Sequence, residues 1–350
     1  MPQEQLYVQT NSAEANEIAV FNRTAAGTLL PAGRFRTGGF GTGVGALPVP
    51  GGINSQGSLA LSTDRQFLFA VNAGSNDISS FAIVDDGLRL VARTPSRGPG
   101  PVSIAVRDGL MYVANQFGRG EIAGFAVDSD GQLSPLEGSE RPVSAAGASP
   151  AQVSFTRDGR FLVLTELVTD RIVTYRVNSD GRTGRARSVA SSGQTPFGFA
   201  FDPAGRLVVS EAFRDAPQGS AVSSYRFAST GDPVVISGSV PTHQTSACWV
   251  VITDDGRYAY TSDSNSASIS GYRIDVNGNL SLLSNDGRTA ATGEGSHPTD
   301  MAISNDGRQL YVLTGGTQTI GVFGVRTDGS LVLQPSVGGV PTSSVGMVIR

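Results

Sequence analysis

Short apolar runs separated by turns set the pattern of this chain; long amphipathic stretches are missing. In residues 153–166, VSFTRDGRFLVLTE, an apolar run stops at Asp158-Gly159, resumes for several positions and ends on an acid, Glu166. Two such runs joined by an Asp-Gly turn read as a β-hairpin. The unit recurs as LALSTDRQFLFAVN (59–72), IAVRDGLMYVAN (104–115), FAFDPAGRLVVSE (199–211), VVITDDGRYAYTSD (250–263) and MAISNDGRQLYVLT (301–314). A third strand of the type Ile-x-x-Tyr/Phe follows each hairpin, at 78–83, 122–127, 172–177, 222–227, 269–274 and 320–325. A turn and a short fourth strand come next, as in DGQLSPL (130–136), NGNLSLL (277–283) and DGSLVLQ (328–334).

The hairpins are spaced about 44 to 51 residues apart, the period of a four-stranded propeller blade. Six repeats are complete and the seventh is split. The N-terminus supplies strands two to four (5–10, 18–23 and 27–32), and the C-terminus supplies the first (344–349). Sharing a blade between the termini closes the ring and removes free sheet edges. The expected fold is all-β: one domain over residues 1–350, a seven-bladed β-propeller of four-stranded blades whose last blade is closed by the N- and C-terminal strands.

The segment TGGFGTGVGALPVPGGINSQG (37–57) lies outside the repeat. Its Gly-x-Gly-x-Gly spacing suggests a phosphate loop, but such a loop needs a helix after it. Here a strand follows, so the segment reads as a connection between blades or a lid over one face.

Composition narrows the chemistry. The 26 basic residues are all arginine, which excludes a Schiff-base lysine. They are scattered, and the net charge is −4, which argues against nucleic acid as a partner. A single cysteine, Cys248, excludes an internal disulfide, and two histidines, His243 and His297, are too few for a three-His zinc site. No apolar run approaches the roughly 20 residues that cross a bilayer. The start, MPQEQLYVQTN, has no basic and apolar leader pattern, so the chain as written reads as cytoplasmic; a leader removed earlier would leave the same start. The expected partner is a small-molecule substrate, with no nucleic acid and no membrane.

In a propeller the start of each first strand and the end of each second strand share a face. The second strands end on Thr10, Asn72, Asn115, Glu166, Glu211, Asp263 and Thr314, all polar. The first strands start on Ser58, Ser103, Gln152, Gly198, Trp249, Asp300 and Ser344. Asn and Thr at strand ends commonly bond the next turn. Glu166, Glu211 and Asp263 in adjacent blades are less easily explained that way, since crowded acids raise one another's pKa unless a cation or arginine neutralises them.

Two functional readings stay open. In one, Glu166, Glu211, Asp263, Asn72 and Asn115 form an all-oxygen site for Ca²⁺, which takes about six to eight oxygen ligands. In the other no cofactor is required, and a carboxylate acts as general acid or base on a lactone or ester while arginine holds an anionic group. His297, in GSHPTD, and His243 occupy matching loops on that face. Trp249 either stacks on a ligand or plugs the channel.

The units PAQVSFTRDGRFLVLTEL, PFGFAFDPAGRLVVSEA and DGRYAYTSD resemble the lactonase-family seven-bladed propellers, over essentially the whole chain. That family includes propeller-type 6-phosphogluconolactonase and carboxy-cis,cis-muconate cyclase. The resemblance implies metal-independent opening or closing of a lactone. The family pattern has Pro-Arg-His where this chain has Pro150-Ala151-Gln152, and Asn-Glu where it has Thr165-Glu166. An arginine usual past a later strand is replaced by Ser264. The acid is kept while a histidine and two arginines are lost, so the implied substrate is less anionic, or its anchor is Arg214 or Arg97.

The expected site is therefore Glu166, Glu211 and His297 as catalytic groups, with Gln152, Trp249, Asp263, Asp300 and Arg214 binding substrate. The expected activity is hydrolysis or isomerisation of a small lactone or ester at the channel mouth. The alternative is a non-catalytic ligand-binding or scaffold propeller that keeps the fold without the chemistry.

Overall fold

A computed structural model describes residues 4–44, 53 and 55–350. Seven antiparallel sheets follow one another along the chain. We number the blades from the first complete one, whose strands are Leu59–Leu61, Phe67–Asn72, Asp77–Val84 and Gly87–Pro95. The inner strands of blades 2 to 6 are Pro101–Arg107, Pro150–Phe155, Pro196–Phe201, Ala247–Ile252 and Pro298–Ile303. Blade 7 is the closing blade. Its inner strand, Met347–Ile349, pairs with Gln5–Gln9 in the register Leu6↔Ile349, Tyr7↔Val348 and Val8↔Met347. The strand is shorter than the stretch from Ser344, because Ser344 bonds back to Pro341 in a turn before pairing begins. Blades 2 and 5 add a two-residue strand, Arg141–Pro142 and Ala290–Ala291, on their third strands.

Local rules explain the hairpins. In blade 3, Val153 faces Leu164 and Phe155 faces Leu162, and Gly159 takes the left-handed φ of +70° that the tight turn requires. Both faces of the second strands are covered by neighbouring blades, so Phe161–Glu166 is buried along its whole length. Such strands read as near-continuous apolar runs. Adjacent blades are also stitched by tyrosine hydroxyls. Tyr112, Tyr260 and Tyr311 donate to the carbonyls of Gly181, Gly329 and Gly27, in the outer turns of the next blades. The described residues contain no helix long and apolar enough to cross a membrane.

Part of the Gly-rich segment departs from the expected connection or lid. Residues 45–52 and 54 of it lie outside the described residues. Of the rest, Ile53 is buried in the largest core cluster with Trp249, Phe197 and Val345. Ser55 Oγ donates to Val102 O in blade 2, and Gln56 N donates to Ala151 O in blade 3. Ile104 N of blade 2 donates to Gly57 O, while Trp249 Nε1 of blade 5 donates to Ser55 O. Contacts with inner strands from blade 2 to blade 5 mean that this stretch lies across the centre of the ring, inside the channel mouth.

Candidate functional site

The backbone register puts the two expected rings on one face. Pro101, Pro150, Pro196, Ala247 and Pro298, each opening an inner strand, pair with Asn115, Glu166, Glu211, Asp263 and Thr314. The side chains do not meet at a common opening. Glu166, Glu211, Asp263, Asn72 and Asn115 have no exposed surface; each bonds within its own blade or to a neighbouring connection, and Asn72 also to Asn16 of blade 7.

Glu166 accepts from Ser144 N (2.7 Å) and Ser144 Oγ, in the connection entering blade 3, and from Thr169 Oγ1 (2.5 Å). Arg171, on the third strand of the same blade, reaches Ser188 Oγ rather than this carboxylate. Glu211 accepts from Gly193 N, Ser223 Oγ, Ser239 Oγ and Ser191 Oγ. Burial raises its pKa, and those four donors only moderate the rise. Asp263 accepts from Ser270 and Ser268 hydroxyls on one oxygen; burial pushes it up to about 8. Asn72 binds Asp77, Ser79, Asn16 and Thr37, and Asn115 donates to Ser96 O. Among the described residues no three His, Cys, Asp or Glu side chains come together around a possible ion. The expected Ca²⁺ ligands are thus five separate tethers, one per blade, because a polar side chain at this depth is satisfied by the nearest connection before it can reach the axis.

The inner-strand residues form a second device, a belt around the channel. Ser103 Oγ accepts from Val153 N of the next blade at 3.0 Å. Gln152 bridges blade 3 to blade 4, accepting from Phe199 N (2.6 Å) and donating to Phe199 O (3.0 Å). Asp300 accepts from Met301 N and, across to blade 7, from Met347 N (3.0 Å). Its burial raises the carboxyl to about 7 against those two amides. In blade 4 the belt position is Gly198, which has no side chain. There Gln56 caps the inner strand of blade 5, accepting from Val250 N (3.0 Å) and donating to Val250 O (2.8 Å), while Ser210 Oγ of blade 4 donates across to Cys248 O of blade 5. Gln152 and Asp300, expected to meet substrate, hold neighbouring strands together instead. Trp249 is 1 % exposed, with its ring centroid 4.9 Å from that of Phe197, so it fills the channel wall. Cys248 is buried, and its thiol pKa is raised by that burial.

One half-exposed ion pair on this face joins blades 3 and 4. Arg214 Nη2 donates to Asp170 Oδ2 at 2.6 Å, with side chains 55 % and 29 % exposed. Asp170 Oδ1 accepts from Thr195 N at 2.7 Å, and Arg214 Nε donates to Gln194. In blade 1 the equivalent turn residue, Asn76, makes the same amide contact with Gly100 N. A neutral Asn therefore suffices for the loop, and the extra oxygen charge at 170 serves Arg214. Phe213, Arg214 and Asp215 all have left-handed φ, 49°, 52° and 59°. Each such non-glycine residue is strained by about 1 to 2 kcal/mol, and strain of this kind clusters at functional sites.

The sequence named Arg214 but not the residues it meets or shares contacts with, Asp170, Gln194 and Thr195. A signal was present: Asp170 stands where blade 1 has Asn, just before a third strand. His297 is half-buried at φ +43°, and its Nδ1 is buried without a partner among the described residues. His243 is exposed. Arg97, the other expected anchor, pairs with Glu140 at 2.7 Å and Glu137 at 3.5 Å.

A closed ring of seven antiparallel sheets, its last blade completed by the N- and C-terminal strands, defines a seven-bladed β-propeller. The sequence family described as lactonase, seven-bladed β-propeller matches residues 15–144, 119–214 and 211–343, and the chain belongs to that family. No curated protein matches it. Solved structures share the fold. A Lactobacillus plantarum protein superposes with a TM-score of 0.79 at 18 % identity, covering 100 % of both chains. The periplasmic gluconolactonase of Pseudomonas aeruginosa gives 0.78 at 18 %, covering 99 % of this chain and 98 % of its own. A Bacteroides fragilis protein whose suspected activity is 6-phosphogluconolactonase gives 0.76 at 21 %, covering 100 % and 98 %.

Proposed function

We propose that this protein opens a small lactone or ester at the mouth between blades 3 and 4. The observation that carries the reading is the half-exposed Arg214–Asp170 pair on a strained turn, in a chain of the lactonase family. Asp170 takes a proton from the attacking water as the water oxygen bonds to the carbonyl carbon. The ring C–O bond then breaks, that proton passes to the departing alkoxide, and the new carboxylic acid releases its remaining proton to solvent. Arg214 steadies the carbonyl oxygen as charge develops and then holds the carboxylate product, the role a guanidinium suits. One anchoring arginine fits a substrate with a single anionic or carbonyl group better than a phosphorylated one. In this reading Glu166 and Glu211 position loops, and no cofactor is required.

A second reading, a ligand-binding propeller without catalysis, is favoured by one observation: both oxygens of Glu166 are engaged inside blade 3. A panel of γ- and δ-lactones assayed with wild type, Asp170→Asn and Arg214→Ala separates the two. Hydrolysis predicts turnover that falls by about 100-fold or more in each variant, the size of one acid–base or charge contribution. Equal background rates for all three proteins would support the non-catalytic reading.

A further inference from the structure

On the face away from the mouth, the turns of neighbouring blades enclose a crevice at several joints, and its charge differs from joint to joint. Between blades 1 and 2 it is lined by Asp64, Asp108 and Asp128 and, among the described residues, by no arginine. Between blades 5 and 6, Arg257, Arg308 and Arg326 meet Asp254, Asp255 and Asp306. Between blades 3 and 4, a crevice of about 390 Å³ is lined by Arg157, Arg160, Arg206 and Arg226 and by one carboxylate, Asp158. Arg206 is set by a buried acid behind it, donating from Nε to Asp202 Oδ2 at 2.6 Å and from Nη1 to Val276 O at 2.7 Å. Arg160 stays 3.9 Å from Asp158, whereas Arg257 in blade 5 closes on Asp255 at 2.6 Å. The guanidiniums of Arg157 and Arg226 have no partner among the described residues.

The fold does not require this charge. TRDGR (156–160) and TDDGR (253–257) build the same turn, in which the Thr156 and Thr253 hydroxyls donate to Asp158 and Asp255, each at 2.7 Å. Arg157 thus stands where blade 5 has Asp254 without altering the turn, and Ala204 stands where blade 6 has Asp306. Guanidiniums gathered on one crevice repel one another, and an anion bound among them relieves that repulsion. Half-buried Phe227 and exposed Pro203 add an apolar wall.

We propose that this crevice is a second binding site, remote from the mouth, and that it takes a phosphate monoester. The phosphate oxygens accept from the guanidiniums of Arg157, Arg160 and Arg226, beside an Arg206 already held in position. The organic body of the ester lies on Phe227 and Pro203. Arginine suits this task because its planar fork pairs with two phosphate oxygens at once. The site is independent of the lactone reading, which concerns the other face.

The test titrates phenyl phosphate and inorganic phosphate into the protein by calorimetry at low salt, where exposed charges are least screened. Wild type is expected to bind one phenyl phosphate, and inorganic phosphate about tenfold more weakly because it lacks the ring that covers the apolar wall. Arg226→Ala is expected to weaken phenyl phosphate about tenfold, the scale of one charge-assisted contact. Arg157→Asp, which copies Asp254 of blade 5, is expected to abolish binding. Both positions are exposed and unpaired, so both variants are expected to melt with wild type and to leave any lactone turnover unchanged. Affinity unchanged in Arg157→Asp overturns the proposal. Affinity kept there but lost in Arg214→Ala overturns it by placing the phosphate at the mouth. Equal affinity for the two phosphates overturns the choice of an ester. Tighter, Arg157-dependent binding of a single-stranded oligonucleotide overturns it in favour of a polymer running across this face.

Discussion

The two ends of the blades hold the same kind of acid in opposite conditions. On the face away from the mouth, Asp158, Asp255 and Asp306 stand in the hairpin turns TRDGR, TDDGR and SNDGR. Partial burial works against their charge. For Asp158 the Thr156 hydroxyl and Arg160 amide outweigh it, and for Asp306 the Ser304 hydroxyl and Arg23 do, so both pKa values fall. Asp255 falls in the same way, through Thr253 and Arg257. At the mouth end, Glu211 and Asp263 meet only serine hydroxyls and one amide, with no cation in contact, and burial wins. Charge alone therefore does not mark a functional carboxylate. Glu211 and Asp263 are raised because they are sealed in as tethers, while the half-exposed Asp170 has an arginine beside it.

The comparison breaks most visibly in activity. Asp170→Asn keeps the oxygen that caps Thr195 N, as Asn76 does for Gly100 N, so the fold should hold while lactone turnover falls by about 100-fold or more. Next comes Glu211→Ala, which strips four donors of their acceptor inside blade 4. Chemical denaturation should show a loss of about 3 kcal/mol, the scale for a broken buried polar network. Asp263 sharpens the contrast through pH. Its folded pKa of about 8 lies above its unfolded value near 4, so the native state holds more protons between those limits. Its contribution to stability is fully present below about pH 4 and is lost as pH rises through about 8. Melting curves from pH 4 to 8 should therefore flatten in Asp263→Asn, and an unchanged slope would remove Asp263 as their source. The smallest effect belongs to the opposite face: Asp158→Ala should shift stability by about 0.5 kcal/mol, the range of an exposed turn side chain.

The fold was legible because each blade repeats a local rule. Alternation around Asp158-Gly159 and its relatives fixes the hairpins, and the split seventh repeat places Met347–Ile349 beside Gln5–Gln9. The shared face of the strand ends was legible for the same reason, since antiparallel pairing puts Pro150 opposite Glu166. Depth was not. Nothing in LVLTE says that Ser144, more than 20 residues earlier, will cover Glu166 before it reaches the axis. The channel filling was also hidden, because Ile53 to Gly57 has no periodicity. Its contacts depend on a missing side chain at Gly198, on the far side of the ring. Arg214 could be named as a cation on the right face, but its partner lies 44 residues away in the preceding blade.

The account rests on dividing buried tethers from the exposed pair, and one experiment tests that division directly. Hydrolysis of the best lactone from the panel is measured for Glu166→Gln and Asp170→Asn, each first shown to melt as a folded protein. The account predicts that Glu166→Gln retains turnover within about threefold while Asp170→Asn loses about 100-fold or more. The reverse order, with Glu166→Gln silent and Asp170→Asn active, would contradict it.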